Sequence, residues 1–118
     1  MKARSDPRHQ RRRKIVKNLF AFSFKTQKKP NKRSPLRSIS ENLVEIDQKI
    51  AIAAPEFPLA RLNRIDLAIL RLAVFELLIE RKEPPRVIVD EAIELAKEFG
   101  SENSPSFING ALGAIIND

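Results

Sequence analysis

The chain has 118 residues, enough for one domain, and it carries a net charge of +7. It has no cysteine and a single histidine, which excludes a disulfide framework, a thiolate metal site and a metal centre built from several histidines. Its apolar runs are far shorter than the roughly 18 residues of a membrane span, and its charged N-terminus lacks the apolar segment of a secretory signal. We therefore expect a soluble cytoplasmic protein that has no membrane partner.

Positive charge is concentrated at the N-terminal end of the chain. Residues 1–37 hold 14 of the 22 lysines and arginines and a single acid, Asp6, whereas residues 38–118 hold the other 14 acids. A basic leading segment on an acidic body is typical of proteins that bind a polyanion, most often nucleic acid. The alternative is a disordered basic tail that serves solubility.

The first elements are a basic N-terminal arm and an amphipathic helix. Residues 1–10 are polar, include Pro7 and show no periodicity, which predicts the arm. Apolar residues then follow helical spacing over residues 11–24, and the first turn of this predicted helix is basic: Arg11, Arg12, Arg13 and Lys14. Because positive charge at a helix N-terminus opposes the macrodipole, we expect these residues to be there for another purpose, of which phosphate binding is the simplest.

A linker and two helices are predicted next. Residues 25–38 combine two prolines with several lysines and arginines, which predicts a mobile basic linker. Ser40 opens a second helix that ends before Pro55. Residues 63–81 are the most apolar stretch, with Asn63 as a capping residue, and predict a central helix.

The segment after the central helix has the clearest boundary signals. Pro85 suits the first turn of a helix, and Gly100 is predicted to end that helix in a left-handed conformation. Ser104 and Pro105 are predicted to start the last helix as its N-cap and first residue. No convincing strand is found, so we predict an all-α fold, a compact single-domain bundle of about five helices over residues 11–118.

Catalytic chemistry has little support in the sequence. Glu91, Glu94 and Glu98 share one predicted helix, and such acids are far more often a solvated face than a catalytic pair. For His9, which lies among arginines, contact with a phosphate or a base is expected rather than catalysis. No glycine-rich phosphate loop is present. We predict no enzyme activity, no cofactor and no metal.

Two apolar features have competing explanations. Phe20, with the other phenylalanines near it, is expected mainly in the core, whereas Phe107 suits either the core or a partner contact. Gly110 lies within the last helix, where glycine is unfavourable by about 1 kcal/mol relative to alanine. A close helix–helix approach is the first explanation for it.

Three blocks of the sequence resemble the bacterial NusB family of transcription antitermination factors. They are the basic first helix with Leu19-Phe20, the segment LARLNRIDLAILRLAVFEL at residues 59–77, and residues 87–110. The resemblance implies an all-helical domain that binds the boxA element of nascent ribosomal RNA together with NusE, a ribosomal small-subunit protein. That complex joins RNA polymerase and suppresses premature termination.

The resemblance also implies site residues. RNA would meet the arginine-rich N-terminal region and the loop between the last two helices, and NusE would meet Phe20 and Asp66. With the other charged residues of the leading segment, the predicted RNA-binding set is Lys2, Arg4, Arg8, His9, Arg11, Arg12, Arg13, Lys14, Ser101, Asn103, Ser106 and Phe107.

Two other functions remain open at this stage. One is a protein-interaction module whose basic leader binds an acidic partner. The other is a stand-alone relative of the RNA-targeting domain of ribosomal RNA methyltransferases. The sequence is compatible with a monomer and with a homodimer.

Overall fold

The computed structural model describes residues 6–22, 24, 28–56 and 58–117. The described residues form six α-helices, α1 (Pro7–Ala21), α2 (Pro35–Glu41), α3 (Leu43–Ala53), α4 (Arg64–Val74), α5 (Pro85–Phe99) and α6 (Ser104–Ile116). A 3₁₀ turn at Leu59–Arg61 precedes α4, and a π-helical turn at Phe75–Glu80 continues it. The prediction of an all-α bundle is confirmed, with one α-helix more than expected. None of the described helices is long and apolar enough to cross a membrane.

The first helix begins four residues earlier than predicted. The side chain of Asp6 caps it by accepting a hydrogen bond from the amide of Arg8 at 2.8 Å, and Pro7 occupies the first helical position. The helix ends at Ala21 rather than at residue 24. Residues 7–10, predicted as part of an extended arm, are therefore helical, because an acid followed by proline is itself a helix start signal.

The predicted linker and second helix are also divided differently. Ser34 caps α2 through its side chain, and Pro35 takes the first helical position, so α2 begins inside the predicted linker 25–38. A break at Asn42 then separates α2 from α3. The pair Ser34-Pro35 is the same kind of helix start signal as the pair Asp6-Pro7 at the beginning of α1. Residues 25–27 of the linker lie outside the described residues.

The fourth helix is central, as predicted. It packs against α1, α3, α5 and α6, and Ile69, Leu70 and Val74 are completely buried. Its N-cap is Asn63, whose Oδ1 accepts a hydrogen bond from the amide of Ile65 at 2.8 Å. The local capping signal and the wide apolar surface therefore predicted this element correctly up to Val74.

The predicted helix 63–81 changes its winding in its last turns. The π-helical turn ends at Arg81, whose backbone lies in the left-handed region at φ 55° and ψ 34°. This conformation is uncommon for a residue with a side chain. The Nε atom of Arg81 donates to the carbonyl oxygen of Leu78 at 3.2 Å. Such π-helical turns occur frequently at functional sites.

The two glycines of the C-terminal helices behave differently from the prediction. Gly100 ends α5 in an extended conformation, φ −91° and ψ −171°, so the predicted left-handed stop is wrong. A Cβ atom there would lie 2.5 Å from side-chain atoms of Ser104 and 2.8 Å from the carbonyl oxygen of Ala96, so the position requires glycine for space. At Gly110 a Cβ atom would meet nothing within 4 Å, and the predicted close helix approach there is wrong as well.

Candidate nucleic-acid interface

The basic residues of α1 lie on two different faces. His9 and Arg12 are buried, with 3% and 6% of their surfaces exposed. Arg11 and Lys14 are exposed, and no ion pair of theirs is found in the part of the chain that the structure describes. Residues three apart share a helix face, so His9 and Arg12 together form the inner face of the N-terminal half of α1.

Arg12 is held by three carboxylates. Its Nε and Nη2 atoms donate to Glu76 at 2.7 to 3.2 Å, its Nη1 atom donates to Glu91 at 2.9 Å, and Nη2 also donates to Glu83. Burial alone would lower the pKa of the Arg12 guanidinium, but the hydrogen bonds and charges of Glu76 and Glu83 outweigh it and raise the pKa above its ordinary value. Arg12 is therefore a permanent buried cation.

His9 lies between two acids of α5. Its Nδ1 atom is 3.1 Å from Oε2 of Glu91, and its Nε2 atom forms a short hydrogen bond with Oε1 of Glu98. Each ring nitrogen of His9 therefore lies within hydrogen-bond distance of a carboxylate oxygen. No group of three or more acidic or histidine side chains among the described residues is arranged to hold a metal ion. The chemistry of this cluster is charge pairing.

Two further arginines extend the cluster at its edges. Nη1 of Arg8 lies 3.3 Å from Oε1 of Glu83, and Nε of Arg13 lies 2.7 Å from Oε2 of Glu98. Arg8 nevertheless keeps 73% of its side chain exposed. The basic segment therefore neutralises part of the acidic body of the same molecule.

This geometry corrects the role of two predicted RNA contacts. Glu91 is 1% exposed, and burying a carboxylate is costly unless a cation is paired with it. Arg12 supplies that cation and His9 a further polar contact, so the polar groups of both residues face the protein interior. Neither residue is therefore placed to contact RNA directly. Lys2 and Arg4, which belong to the same set, lie outside the described residues.

The outer face of α1 adjoins the loop between α5 and α6. The guanidinium of Arg13 lies 5.5 Å from the ring centre of Phe99, and the ammonium group of Lys17 lies 5.6 Å from it. Phe99 is the last residue of α5, so these contacts bring α1 next to the start of the loop. The structure thus brings together the two regions that the resemblance predicts to contact RNA. The contribution of Phe99 was missed, because an aromatic residue on an apolar stripe looks like core.

The predicted loop residues differ in exposure. Ser101, Asn103 and Ser106 are exposed, and Phe107 is half-buried. The helix α6 begins at Ser104, and its N-cap is Asn103, not Ser104 as predicted. Ser104 is instead buried, and its Oγ accepts a hydrogen bond from the amide of Ser101 at 2.9 Å. This bond gives the loop a fixed shape that presents three polar side chains.

The two predicted partner contacts are in different environments. Phe20 is 41% exposed, so the expectation that it lies in the core is wrong. The guanidinium of Arg64 lies 4.7 Å from the centre of its ring, and Arg64 also donates to the carbonyl oxygen of Phe20 at 2.8 Å. Phe20 and Arg64 line an open groove of about 440 Å³ together with Leu59 and Leu67.

Asp66, by contrast, is 7% exposed. Burial raises the pKa of its carboxyl group above the ordinary value, and a hydrogen bond from the side chain of Ser104 opposes that rise. Its Oδ1 atom has no hydrogen-bond partner among the described residues. Asp66 therefore lies under the start of α6 and not on an open surface, which corrects the expectation of direct partner contact.

Comparisons with known proteins agree with this fold. The model of the NusB family matches residues 2–117. Curated relatives named transcription antitermination protein NusB include one from Pseudothermotoga lettingae, 46% identical over 80 residues (68% of this chain and 57% of the relative), and one from Clostridium acetobutylicum, 43% identical over 82 residues (70% and 61%). The matched segment thus spans less than two thirds of either relative. The solved structure of T. maritima NusB superposes with a TM-score of 0.82 at 36% identity, over 96% of this chain and 92% of that one. On the strength of the family match and the shared fold, the chain belongs to the NusB family.

Proposed function

We propose that the protein is a non-catalytic, cytoplasmic transcription antitermination factor. It binds boxA-like single-stranded RNA of ribosomal transcripts together with NusE, joins the RNA polymerase antitermination complex, and helps the polymerase avoid premature termination. Membership of the NusB family supports the antitermination role. The observation that carries the RNA-binding part is the contact of Arg13 and Lys17 with Phe99, which joins the exposed basic face of α1 to the α5–α6 loop.

The proposed RNA surface has a phosphate-binding part and a base-binding part. Exposed cations of α1 hold phosphates, among them Arg8, Arg11 and Lys14, with Lys2 and Arg4 preceding them in the chain. Ser101, Asn103 and Ser106 offer hydroxyl and amide groups to unpaired bases, and Phe107 offers an apolar contact at the edge. Buried His9 and Arg12 contribute indirectly by holding α1 against the acidic body.

The proposed NusE surface is the groove that contains Phe20. Aromatic residues and arginine are enriched at the centres of protein interfaces, where they contribute strongly to the binding energy. Phe20 and Arg64 are such a pair in this groove. Asp66 is buried and hydrogen-bonded to Ser104, so it is not part of the proposed contact surface.

A salt titration tests the RNA-binding proposal. The dissociation constant of a labelled boxA-like RNA is measured by fluorescence anisotropy over a range of potassium chloride concentrations. If about four phosphates are neutralised, log affinity should fall with log salt at a slope of roughly −3. Binding that does not depend on salt would contradict the proposal. A complex with protein partners that survives nuclease treatment, in the absence of any RNA affinity, would favour a protein-interaction module instead.

A further inference from the structure

A cavity of about 350 Å³ opens between α1, α2 and the π-helical turn. Its apolar lining comes from Ile15, Ile39 and Leu72, which are buried, and from Phe75, which is half-buried. This volume is at the lower end of the range for small-molecule sites, which suits a single planar ring system better than a larger ligand. The half-buried phenyl group supplies an aromatic contact of the kind that unstacked nucleobases use.

Exposed cations surround this cavity. Arg8 and Arg11 come from α1, and Lys82 comes from the loop that follows the π-helical turn. Lys82 is the residue after Arg81, whose left-handed conformation ends the π-helical turn. Unusual backbone conformations of this kind are concentrated at binding sites. The cations could therefore hold phosphates that flank a group seated in the cavity.

One acid of the cavity differs from the others. Glu76 and Glu83 are committed to Arg12, as the hydrogen bonds above show. The side chain of Glu80 contacts Lys82 at 3.9 Å, which is too long for a hydrogen bond, and no other partner is found for it among the described residues. Its carboxylate therefore keeps free acceptor capacity at an apolar cavity, which exocyclic amino groups of bases can satisfy.

We infer that this cavity receives one amino-bearing nucleobase of the bound RNA, with the carboxylate of Glu80 accepting a hydrogen bond from the amino group and with Arg8, Arg11 and Lys82 holding the adjacent phosphates. The inference rests on the proposed RNA-binding function and adds a base-reading residue to it. Uracil is rejected, because it has no amino group and would place a carbonyl oxygen against the carboxylate. Glu80 thus determines which base the cavity accepts, whereas the surrounding cations increase the affinity for RNA.

The test is a set of binding titrations with one boxA-like RNA and with analogues of it that each lack the amino group of one base. Each cytidine is replaced in turn by uridine, each adenosine by purine riboside and each guanosine by inosine. For the wild-type protein, we expect one position at which loss of the amino group weakens binding about tenfold. With Glu80→Ala, which removes the acceptor, the penalty at that position should fall below about twofold.

A matched variant separates base reading from net charge. Glu45→Gln also removes one negative charge, but from the exposed side of α3. It should therefore raise the affinity for all the RNAs equally and keep the tenfold penalty. Circular dichroism checks that both variants fold. If the RNA binds with the expected salt dependence but no position shows a penalty that Glu80→Ala relieves, the inference is overturned and the proposed function stands. If the wild-type protein binds none of the RNAs, both fail.

Discussion

Arg12 and Glu91 form a buried ion pair that joins α1 to α5. Their Nη1 and Oε1 atoms are 2.9 Å apart, and their side chains are 7% and 1% exposed. Glu91 also faces the imidazole of His9, so one carboxylate receives two groups from the same helix. The basic leading segment therefore has a structural half, which fixes the helix, and an exposed half, which remains available to a polyanion.

Arg12→Ala should destabilise the protein strongly. The substitution leaves Glu76 and Glu91 buried without their cation, which typically costs about 3–5 kcal/mol. Thermal unfolding followed by circular dichroism should show a midpoint lower by roughly 12 °C or more. Arg11→Ala, the neighbouring exposed cation, is the control and should leave the midpoint nearly unchanged. Equal shifts for the two variants would contradict the division of α1 into two faces.

Arg11→Ala combined with Lys14→Ala should weaken RNA binding without affecting the fold. Each exposed cation removed eliminates about one phosphate contact, so the slope of log affinity against log salt should become shallower by roughly 1.4. Fluorescence anisotropy at several salt concentrations measures this change. Lys49→Ala with Arg61→Ala removes the same charge from α3 and the 3₁₀ turn, and an equal loss of slope there would argue for non-specific attraction.

The local signals of the sequence were sufficient for the starts of α4 and α5. Pro85 and Asn63 lie at the predicted starts, because capping and proline preferences depend on neighbouring residues alone. The π-helical turn was not predictable in this way. Its backbone hydrogen bonds span one residue more than those of an α-helix, and it carries Glu76, whose partner Arg12 is 64 residues away in the chain.

The burial of His9 and Arg12 did leave a signal that charge counting missed. Both residues continue the apolar stripe of Val16 and Leu19 toward the N-terminus at helical spacing. Extending that stripe would have placed them on the inner face. The identity of their partners could not be predicted, since the acids that receive them come from distant parts of the chain and meet only in the folded molecule.

Gly100→Ala and Gly110→Ala should have opposite effects on stability. At Gly100 the new methyl group would clash with Ser104 and with the carbonyl oxygen of Ala96, and overpacking of this kind typically costs about 1–3 kcal/mol. At Gly110 there is open space, so alanine should stabilise the helix by about 1 kcal/mol. Urea unfolding measures both changes. A loss of stability for Gly110→Ala would mean that another contact occupies this position.

Phe20→Ala should weaken the complex with NusE and leave the isolated protein folded. The ring is 41% exposed, so little buried area is lost, whereas an aromatic residue at the centre of an interface commonly contributes 2 kcal/mol or more, about thirtyfold in affinity. Isothermal titration calorimetry with purified NusE measures the loss. The control is Val44→Ala, which truncates an exposed apolar side chain on a different helix, α3. Similar affinities for both variants would exclude the Phe20 groove as the partner surface.

Asp66→Asn should stabilise the protein at neutral pH and lose this advantage in acid. Burial raises the pKa of Asp66 in the folded state above its ordinary value of 3.8. The folded state therefore binds the proton more tightly than the unfolded state does, and the wild-type protein loses stability as the pH rises through the folded pKa. Asparagine keeps the acceptor oxygen for Ser104 without the charge. Urea midpoints should be higher for the variant at pH 7, with a difference that shrinks as the pH falls toward 3.8.

Asp90→Asn, on the exposed side of α5, should show no such trend. A gain for Asp66→Asn that is the same at every pH would show that a new amide hydrogen bond, and not removal of a buried charge, is responsible.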